Sequence, residues 1–600
     1  MKRIVISSTL SALLLCGIAG CSSESSDSTK ESVAPQHKEI SSSKSEADRK
    51  EILNNKLKSL TTMGFAITNT LDNQKMSSYT ISVTDTKVAT INILSKLNMS
   101  SIDRRTKEKI EEAIKDAQIG VDIDWQKYLQ NAKGSVLTYL VASKNASKAL
   151  KELSSDKKIA AYLTFGANDN MLEAIFKDID YTISDNSEKA HLSLVGAKIL
   201  THTPSSKDKD AEAFSIYGGK MSYKVDDNQS NSITVSYENP KCDIEMQNSY
   251  LGSELCNMPI LKIDGDNNGT NFSTLISDIK LNYATKLHGN AVKSDIDFKI
   301  STIDISSRED DENITVSVKD INLNGYADNL NSKMIEEFHK LSTSLSTDAN
   351  QTDIKNAKLI SGFFDSNATY SYTLSLASVD GKSTSKKEAT NFSLKGYKTI
   401  AKASFGDNIN YDEKSNIQNI SVKDTKSGVS QFELENFQFN YSIKDMYNLF
   451  PALISFGADV SQNTTTDINE KDEKALQEIL SALSTHGVEI SFSPIGIDKL
   501  VVDSMGQQIT NGKIGLTLNA KLSPNKIKLN SPMATMMLLK YLKADGKLVM
   551  QKSDLDRLSK SFSPQIIAMV MMYAKYEGDK VIFNLKFSDG HLLVNDKPVM

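Results

Sequence analysis

The sequence predicts an α+β fold in which helices partly cover a long, twisted antiparallel β-sheet and the N-terminal region is helical. Three observations support this prediction. Apolar and polar residues alternate in the middle of the chain, as at Tyr370, Tyr372, Leu374 and Leu376, which is typical of strands with one solvated face. Earlier, Arg105–Gln118 has a helical period, and the C-terminal region mixes apolar helices with alternating strands.

The start of the chain predicts a lipoprotein signal peptide over residues 1–20. A basic N-terminus is followed by an apolar run over Ile4–Ile18 and by small residues at Ala19 and Gly20. The run is too short to span a bilayer comfortably. This segment resembles a bacterial lipobox, which implies cleavage before Cys21 and lipid, including palmitate, on its thiol. An ordinary signal peptide with an incidental cysteine is the alternative.

Residues 21–49 predict a flexible tether between the anchor and the folded chain. Residues 22–47 contain ten serines and almost no large apolar side chain, so they cannot bury enough surface to fold. Ser22 stands after the lipidated cysteine. By resemblance to Gram-negative sorting, this residue favours the periplasmic face of the outer membrane as the location.

Behind the tether we expect three regions. Residues 50–165 are predicted to be mostly helical, with a second helical stretch over Trp125–Leu153. Residues 166–441 are predicted to be β-rich. Residues 442–600 are predicted to be α+β, with a terminal hairpin whose Asp589-Gly590 turn separates two alternating runs.

A loose repeat runs through the β-rich region. It consists of an Asp or Asn followed by two apolar residues that flank a polar one, and it begins at Asp178, Asp278, Asp320 and Asn436. One interpretation is that a single long strand type recurs in one extended, twisted sheet. The alternative is that any antiparallel sheet produces such matches.

The composition and the motifs argue against several classes of function. The net charge is −5, which predicts no nucleic-acid partner. The chain lacks the Gly-x-Ser-x-Gly, His-Glu-x-x-His and phosphate-loop signatures, so we expect no enzymatic activity and no cofactor. A hydrolase whose catalytic residues lie far apart in the sequence is the last-ranked alternative.

Cys242 and Cys256 are predicted to form a disulfide. They are an even pair in an exported chain, and no histidine lies close enough to suggest a metal site. In the chain-entropy model, a bridge that closes so short a loop contributes ~3 kcal/mol.

Five acidic sequons of the form Asp-x-Asn-x-Ser/Thr predict N-glycosylation in predicted turns. Some bacteria glycosylate this pattern. A chance excess in a chain rich in Asn and Ser is the alternative. The acceptor residues are Asn228, Asn268, Asn313, Asn350 and Asn367.

One acidic segment copies the first half of a calcium-binding EF-hand loop. Asp264, Asp266 and Asn268 stand at the first three ligand positions, but Leu275 replaces the glutamate needed at the twelfth. The flanking residues predict strands. We therefore favour a polar turn over a metal site.

The C-terminal strands resemble the YdgA-like family of Gram-negative envelope proteins, whose function is unknown. In that family an alternating strand, a turn with glycine and a short return strand end the chain. Asp579–Phe587, Ser588–Gly590 and His591–Asp596 follow this order here, with Asp596 in place of the family's last glycine. The strand-into-helix step at Ile321–Gly325 also matches. The resemblance implies a β-rich envelope protein without a catalytic motif.

Together these patterns predict a non-enzymatic, lipid-anchored cell-envelope protein with a binding or scaffolding role in the periplasm. Its expected partners are the membrane, through the anchor, and an envelope protein or a lipid ligand. The alternative is a lipid-binding or lipid-transfer protein that uses an apolar groove in the curved sheet.

Overall fold

The structure is a computed structural model. It describes residues 46–96, 104–129, 136–144, 146–165, 172–185, 188–204, 211–227, 231–247, 251–267, 269–288, 291–309, 311–333, 335, 367–385, 389–424, 429–449, 453, 481–482, 484–504, 507–527, 537–559 and 564–599. These residues fall into two compact units. Unit 1 takes the described residues up to 267 together with 278–285. Unit 2 takes 269–277 and the described residues from 286 onward.

Unit 1 combines short helices with antiparallel strands. Its helices are α1 (Glu46–Ser59), a 3-10 turn (Leu60–Met63), α2 (Thr86–Lys96), α3 (Arg104–Ile114), α4 (Trp125–Leu129) and α5 (Lys148–Ser155). Its strands are β1 (Phe65–Asp72), β2 (Met76–Val83), β3 (Gln118–Asp124), β4 (Val136–Val141), β5 (Ala160–Phe165), β6 (Leu172–Phe176), β7 (Ile179–Asp185), β8 (Glu188–Val195), β9 (Lys198–His202), β10 (Glu212–Tyr217), β11 (Lys220–Asp227), β12 (Ser232–Glu238), β13 (Lys241–Met246) and β14 (Gly252–Asn267). None of the helices in the described ranges is long and apolar enough to cross a membrane.

The first hydrophobic core lies where the helices of unit 1 pack on its early strands. Ile119, Val121 and Ile123 of β3 and Ile110 and Ile114 of α3 are buried in it. The helix α3 ends at Ile114 because Asp116 adopts a left-handed conformation, with φ +64°. Burial of this kind gives most of the stability of short helices, which are marginal in isolation.

Unit 2 consists mainly of long strands. They are β16 (Ala291–Glu309), β17 (Glu312–Asn331), β18 (Thr369–Thr384), β19 (Ala389–Ser404), β20 (Asn408–Asp424), β21 (Val429–Tyr447), β22 (Val488–Ile497), β23 (Lys499–Ser504), β24 (Gln507–Asn511), β25 (Ile514–Leu522), β26 (Leu542–Gln551), β27 (Lys575–Glu577), β28 (Lys580–Ser588), β29 (His591–Val594) and β30 (Lys597–Pro598). The helices with assigned bounds among its described residues are α6 (Lys552–Ser559) and α7 (Pro564–Tyr573). The strand β15 (Thr270–His288) contributes residues to both units.

All strand pairs with an assigned register in unit 2 are antiparallel. From β16 to β21 each strand pairs with the next one along the chain. The two halves of β21 then pair with β23 and β22, and β22, β25, β26, β28 and β29 continue the order. β17 has 20 residues, which at 3.3 Å per residue is roughly 65 Å. A second small core contains Met550, Leu555, Val581, Phe583 and Val594.

A line of residues in the left-handed conformation crosses the long strands at one level. We call this line the crease. Its members are Asp320 on β17 (φ +53°), Gly396 on β19 (φ +65°) and Asn436 on β21 (φ +50°). The ladder pairs on either side place them opposite Ala377 of β18 and Gln418 of β20. At the crease the apolar positions of the strands shift by one residue, and on β17, β19 and β21 a left-handed residue interrupts the regular pleat there.

The predicted α+β class is wrong. The described residues form mostly antiparallel β-sheet, with few helices. Residues 50–165 contain five strands as well as helices, so the expected helical N-terminal region is corrected too. The predicted helix Trp125–Leu153 is interrupted by β4. The period-two signals in β3 and β4 are short, and the strong helical period of α3 obscured them.

Candidate functional site

Two adjacent rows of apolar side chains cross ten strands of unit 2 on the same face. We call these two rows the apolar face. Residues that pair directly across an antiparallel ladder point to the same side. The first row is Phe298, Leu323, Leu374, Thr399, Ser415, Phe439, Ile495, Leu516, Leu548 and Phe583. The second row is Ile296, Gly325, Tyr372, Ala401, Glu413, Tyr441, Phe492, Leu518, Gly546 and Leu585.

Most of the apolar face lies outside the hydrophobic cores. Only Thr399, Ala401 and Phe583 in the two rows are buried, and Tyr372 is 39% exposed. The remaining side chains are half-buried. Among the described residues, the face joins a core only at its last strands, where Phe583 belongs to the C-terminal core and Leu548 and Leu585 pack against it.

The opposite face of the same strands is polar. The row between the two apolar rows consists of Asp297, Asn324, Thr373, Ile400, Lys414 and Asn440, and the next row on this face, beyond the first apolar row, consists of Lys299, Asn322, Ser375, Lys398, Asn416 and Gln438. On β26 the alternation is visible in the burial, since Lys543, Asp545 and Lys547 are exposed while the residues between them are half-buried. Each long strand therefore separates an apolar side from a solvated side.

A groove of about 590 Å³ lies on the polar side beyond the crease. Asp304 and Asp380 line it together with serines and lysines. The Ser317 hydroxyl donates to Asp304 at 2.6 Å, and the Ser393 hydroxyl donates to Asp380 at 2.8 Å. Apolar side chains, among them Ile305, Val316 and Phe392, also line the groove, and its two carboxylates already accept hydrogen bonds from neighbouring hydroxyls.

Glu413 is the single charged residue in the two rows of the apolar face. Its carboxylate accepts a hydrogen bond from the Tyr411 hydroxyl at 2.6 Å and another from the Ser415 hydroxyl at 3.0 Å. Ser415 also shares a hydrogen bond with Thr399 at 2.8 Å. Within the part of the chain that the structure describes, Glu413 has no basic side chain within ion-pair distance. A carboxylate at this position is costly unless a partner compensates for its lost hydration.

Aromatic rings surround this carboxylate. The ring centroids of Tyr411 and Tyr441 are 5.2 Å apart, and Phe439 and Phe492 lie 5.6 Å and 6.2 Å from Tyr441. Burial raises the pKa of Tyr411, and its hydrogen bonds to Glu413, Tyr441 and Tyr372 raise it further. The phenol is therefore neutral at physiological pH. We call Glu413, Tyr411, Tyr441 and Tyr372 the Glu413 cluster.

The structure joins Cys242 and Cys256 in a disulfide. The two residues lie directly opposite each other on β13 and β14, with a Cα–Cα distance of 4.0 Å. The nearby Glu254 carboxylate completes a group of three potential metal ligands. Thiols that are joined in a disulfide cannot serve as thiolate ligands, so this group does not offer a metal site.

Of the predicted glycosylation sites, the structure describes two. Asn313 is exposed near the tip of the β16–β17 hairpin. Asn367 is exposed before β18, and its backbone carbonyl accepts a hydrogen bond from Asn329 at 2.8 Å. Asn228, Asn268 and Asn350 lie outside the described residues, as does Cys21.

The segment that copies a calcium loop is mostly strand. Asp264 and Asp266 belong to β14 and pair across the ladder with Thr234 and Ser232. Asp264 forms an ion pair with Lys262 at 2.8 Å. The predicted polar turn therefore does not begin at Asp264, because the strand continues to Asn267.

Sequence reasoning did not single out the Glu413 cluster. The alternation Tyr411, Glu413, Ser415 places these three side chains on one side of β20. Tyr372 and Tyr441 come from other strands, and only the register brings them beside Glu413. The signal available in the sequence was Glu413, a charged residue at a position of β20 where the alternation predicts a side chain on the apolar side.

No protein-family model, curated protein or solved structure matches this chain. The resemblance to the YdgA-like family therefore stays a prediction from the C-terminal motifs. A functional proposal has to come from the geometry of the chain itself.

Proposed function

We propose that this protein binds the acyl chains of a membrane lipid on its apolar face, while lipid on Cys21 anchors it in the cell envelope. The observation that carries the proposal is the apolar face itself. It crosses ten paired strands, and most of it lies outside the hydrophobic cores of the described chain. Exposed apolar patches of more than a few hundred Å² mark interaction sites in soluble proteins.

The chemistry of the face suits an acyl chain better than a polar ligand. Leucine, isoleucine and phenylalanine dominate the rows, and the burial of each methylene of a ligand against them contributes ~0.8 kcal/mol. The ligand must also offset the cost of its own immobilisation. An unbranched chain can lie along several strands and gather many such contacts.

The scaffolding role, which the sequence suggested first, would favour a filled core between sheet and helices. Among the described residues, the part of the apolar face on β16–β25 contributes to neither core. This observation favours the lipid-binding alternative. The membrane anchor predicted at Cys21 would hold the face close to a lipid source.

Lipid extraction tests the proposal directly. The mature chain with Cys21→Ser carries no covalent lipid, so any lipid recovered with it must be bound non-covalently. After purification without detergent, we expect mass spectrometry of the organic extract to find phospholipid in near-stoichiometric amounts. Native mass spectra that contain only the bare protein would contradict the proposal.

A pair of variants on one strand identifies the face involved. Leu374→Asp places a charge in the first row, whereas Ser375→Asp places the same charge on the polar face beside Lys398. We expect Leu374→Asp to lower the amount of bound lipid at least severalfold, because it buries a carboxylate against acyl chains. Ser375→Asp should leave it unchanged. Equal lipid loss in both variants, with unchanged thermal unfolding, would exclude this face as the site.

A further inference from the structure

We propose that the Glu413 cluster binds the primary ammonium group of a lipid headgroup, of the phosphoethanolamine class. This inference rests on the proposed function and adds the headgroup to it. The acyl chains would lie along the apolar face, and the positive end of the headgroup would meet Glu413.

The hydrogen bonding of Glu413 leaves capacity for such a ligand. An ionised carboxylate offers about four lone-pair sites. Tyr411 and Ser415 donate to one oxygen each. The remaining lone pairs can accept the N–H groups of an ammonium ion, whose three donors match a carboxylate flanked by phenol oxygens.

The aromatic rings add a second attraction for a cation. The faces of Tyr411 and Tyr441, 5.2 Å apart at their centroids, carry the negative part of the ring quadrupole. A cation near such faces gains ~0.5–2 kcal/mol, with the larger values in desolvated sites. Tyr372, Phe439 and Phe492 extend this aromatic surface around the carboxylate.

The position of the cluster also points to a ligand and not to an internal ion pair. The neighbouring residues in both rows are apolar or uncharged, and Lys402 and Lys414 point to the opposite face, since they alternate with Ala401 and Glu413. The charge of Glu413 is therefore met by hydroxyl donors and by no basic side chain among the described residues. The ammonium group of a bound lipid would compensate for it.

The same carboxylate disfavours anionic headgroups. A phosphoglycerol headgroup brings a negative charge and no ammonium group, so it would be repelled where a phosphoethanolamine headgroup is attracted. Selectivity between these two headgroups is therefore the measurable consequence of the cluster.

The experiment uses the mature chain with Cys21→Ser and vesicles of two compositions. Dioleoyl phosphatidylethanolamine and dioleoyl phosphatidylglycerol have the same acyl chains, so a difference in transfer to the protein reports the headgroup. We expect the wild-type cluster to prefer the ethanolamine lipid by roughly tenfold. Glu413→Gln, which keeps the shape and an acceptor for Tyr411, should reduce the preference to near one without lowering total lipid binding.

Asp412→Asn is the matched control, because Asp412 is the neighbouring carboxylate on the polar side of β20, opposite Lys402. It should keep the tenfold preference. If the protein with the unaltered Glu413 cluster took up the two lipids equally well, the ammonium site would be overturned but not the proposed function. No loading of either lipid would overturn both.

Discussion

At the scale of single residues, carboxylates on the two faces of unit 2 are held differently. Asp380 on the polar face accepts hydrogen bonds from Ser393 at 2.8 Å and Ser378 at 3.0 Å. The hydrogen bond from Ser393 lowers the pKa of Asp380, and Ser378, Lys319 and Lys395 lower it further against the effect of burial. Glu413 has two hydroxyl donors but no comparable cation. The surroundings of Asp380 suit a carboxylate that stabilises the fold. The surroundings of Glu413 suit a carboxylate that binds a ligand.

The network of Asp380 predicts a pH dependence of stability. Because folding lowers the pKa below the ordinary value of 3.8, the stabilisation is present above that value and is lost as the pH falls below it. Asp380→Asn should therefore unfold at a lower denaturant concentration than wild type at pH 7, by the equivalent of ~1 kcal/mol or less. The difference between the two proteins should shrink below pH 4.

Ser393→Ala provides the check on the cause. It leaves the carboxylate in place and removes its main donor, so it should show the same trend with pH as Asp380→Asn. Denaturant midpoints for Asp380→Asn that differ from wild type by the same amount at pH 7 and at low pH would show that the carboxyl is not involved.

At the scale of elements, the crease explains the loose repeat in the sequence. Asp278, Asp320 and Asn436, at the start of three repeats, all have positive φ. Asp and Asn tolerate this conformation better than other residues with a side chain, and the apolar residue that follows restarts the alternation. Gly396 takes the same role on β19, where the repeat is absent from the sequence. Asp178 does not share the conformation, since it lies between β6 and β7.

A substitution at the crease tests this account. Asp320 has φ +53°, which a β-branched residue adopts at a cost of roughly 1–2 kcal/mol. Asp320→Val should lower the thermal unfolding temperature of the mature chain by about 1–3 °C, because the unfolding entropy of so long a chain is large. Asp320→Gly should not, because glycine has no side chain to strain.

The ion pair of Asp320 does not affect the difference in unfolding temperature between the valine and glycine variants. Its carboxylate is 3.9 Å from Lys299 and both side chains are largely exposed, so the pair contributes little and is lost in both variants. If the valine and glycine variants unfolded at the same temperature, the left-handed conformation would carry no stabilising role.

At the scale of the whole molecule, the hydrophobic cores and most of the apolar face lie in different parts of the chain. The cores within residues 53–199 and 550–594 hold most of the buried apolar side chains. Between them in the sequence lie the long strands, whose apolar face we propose for lipid. The lipidation predicted at Cys21 and the flexible tether predicted over residues 21–49 would together let this face reach lipid in the membrane, because a flexible chain of that length would span tens of ångströms.

Loss of the anchor cysteine should separate location from binding. In native host cells, Cys21→Ser should move the protein from the membrane fraction to the soluble envelope fraction, since two or more acyl chains are needed for stable anchoring. Its lipid loading should be unchanged. A variant that still fractionates with membranes and still labels with radioactive palmitate would place lipidation at another residue.

By itself, the sequence determined the strands of the β-rich body, because alternation of apolar and polar residues reflects the two sides of a strand directly. It also suggested the pairing of Cys242 with Cys256 and supplied Asp and Asn at the crease. The prediction that residues 50–165 are mostly helical was wrong. Strands as short as β4 contain too few alternating residues to be recognised beside segments with a helical period. Short strands depend on neighbours that local patterns do not contain.

The tertiary structure alone decided which side chains share a surface. Tyr372, Glu413 and Tyr441 are far apart in sequence and meet because the register of β18 to β21 places them in one row. The shift of alternation at the crease would look like an irregularity in any single strand. Register is a property of pairs of strands, and the length of the apolar face is a property of ten strands together, so neither follows from the sequence of one segment.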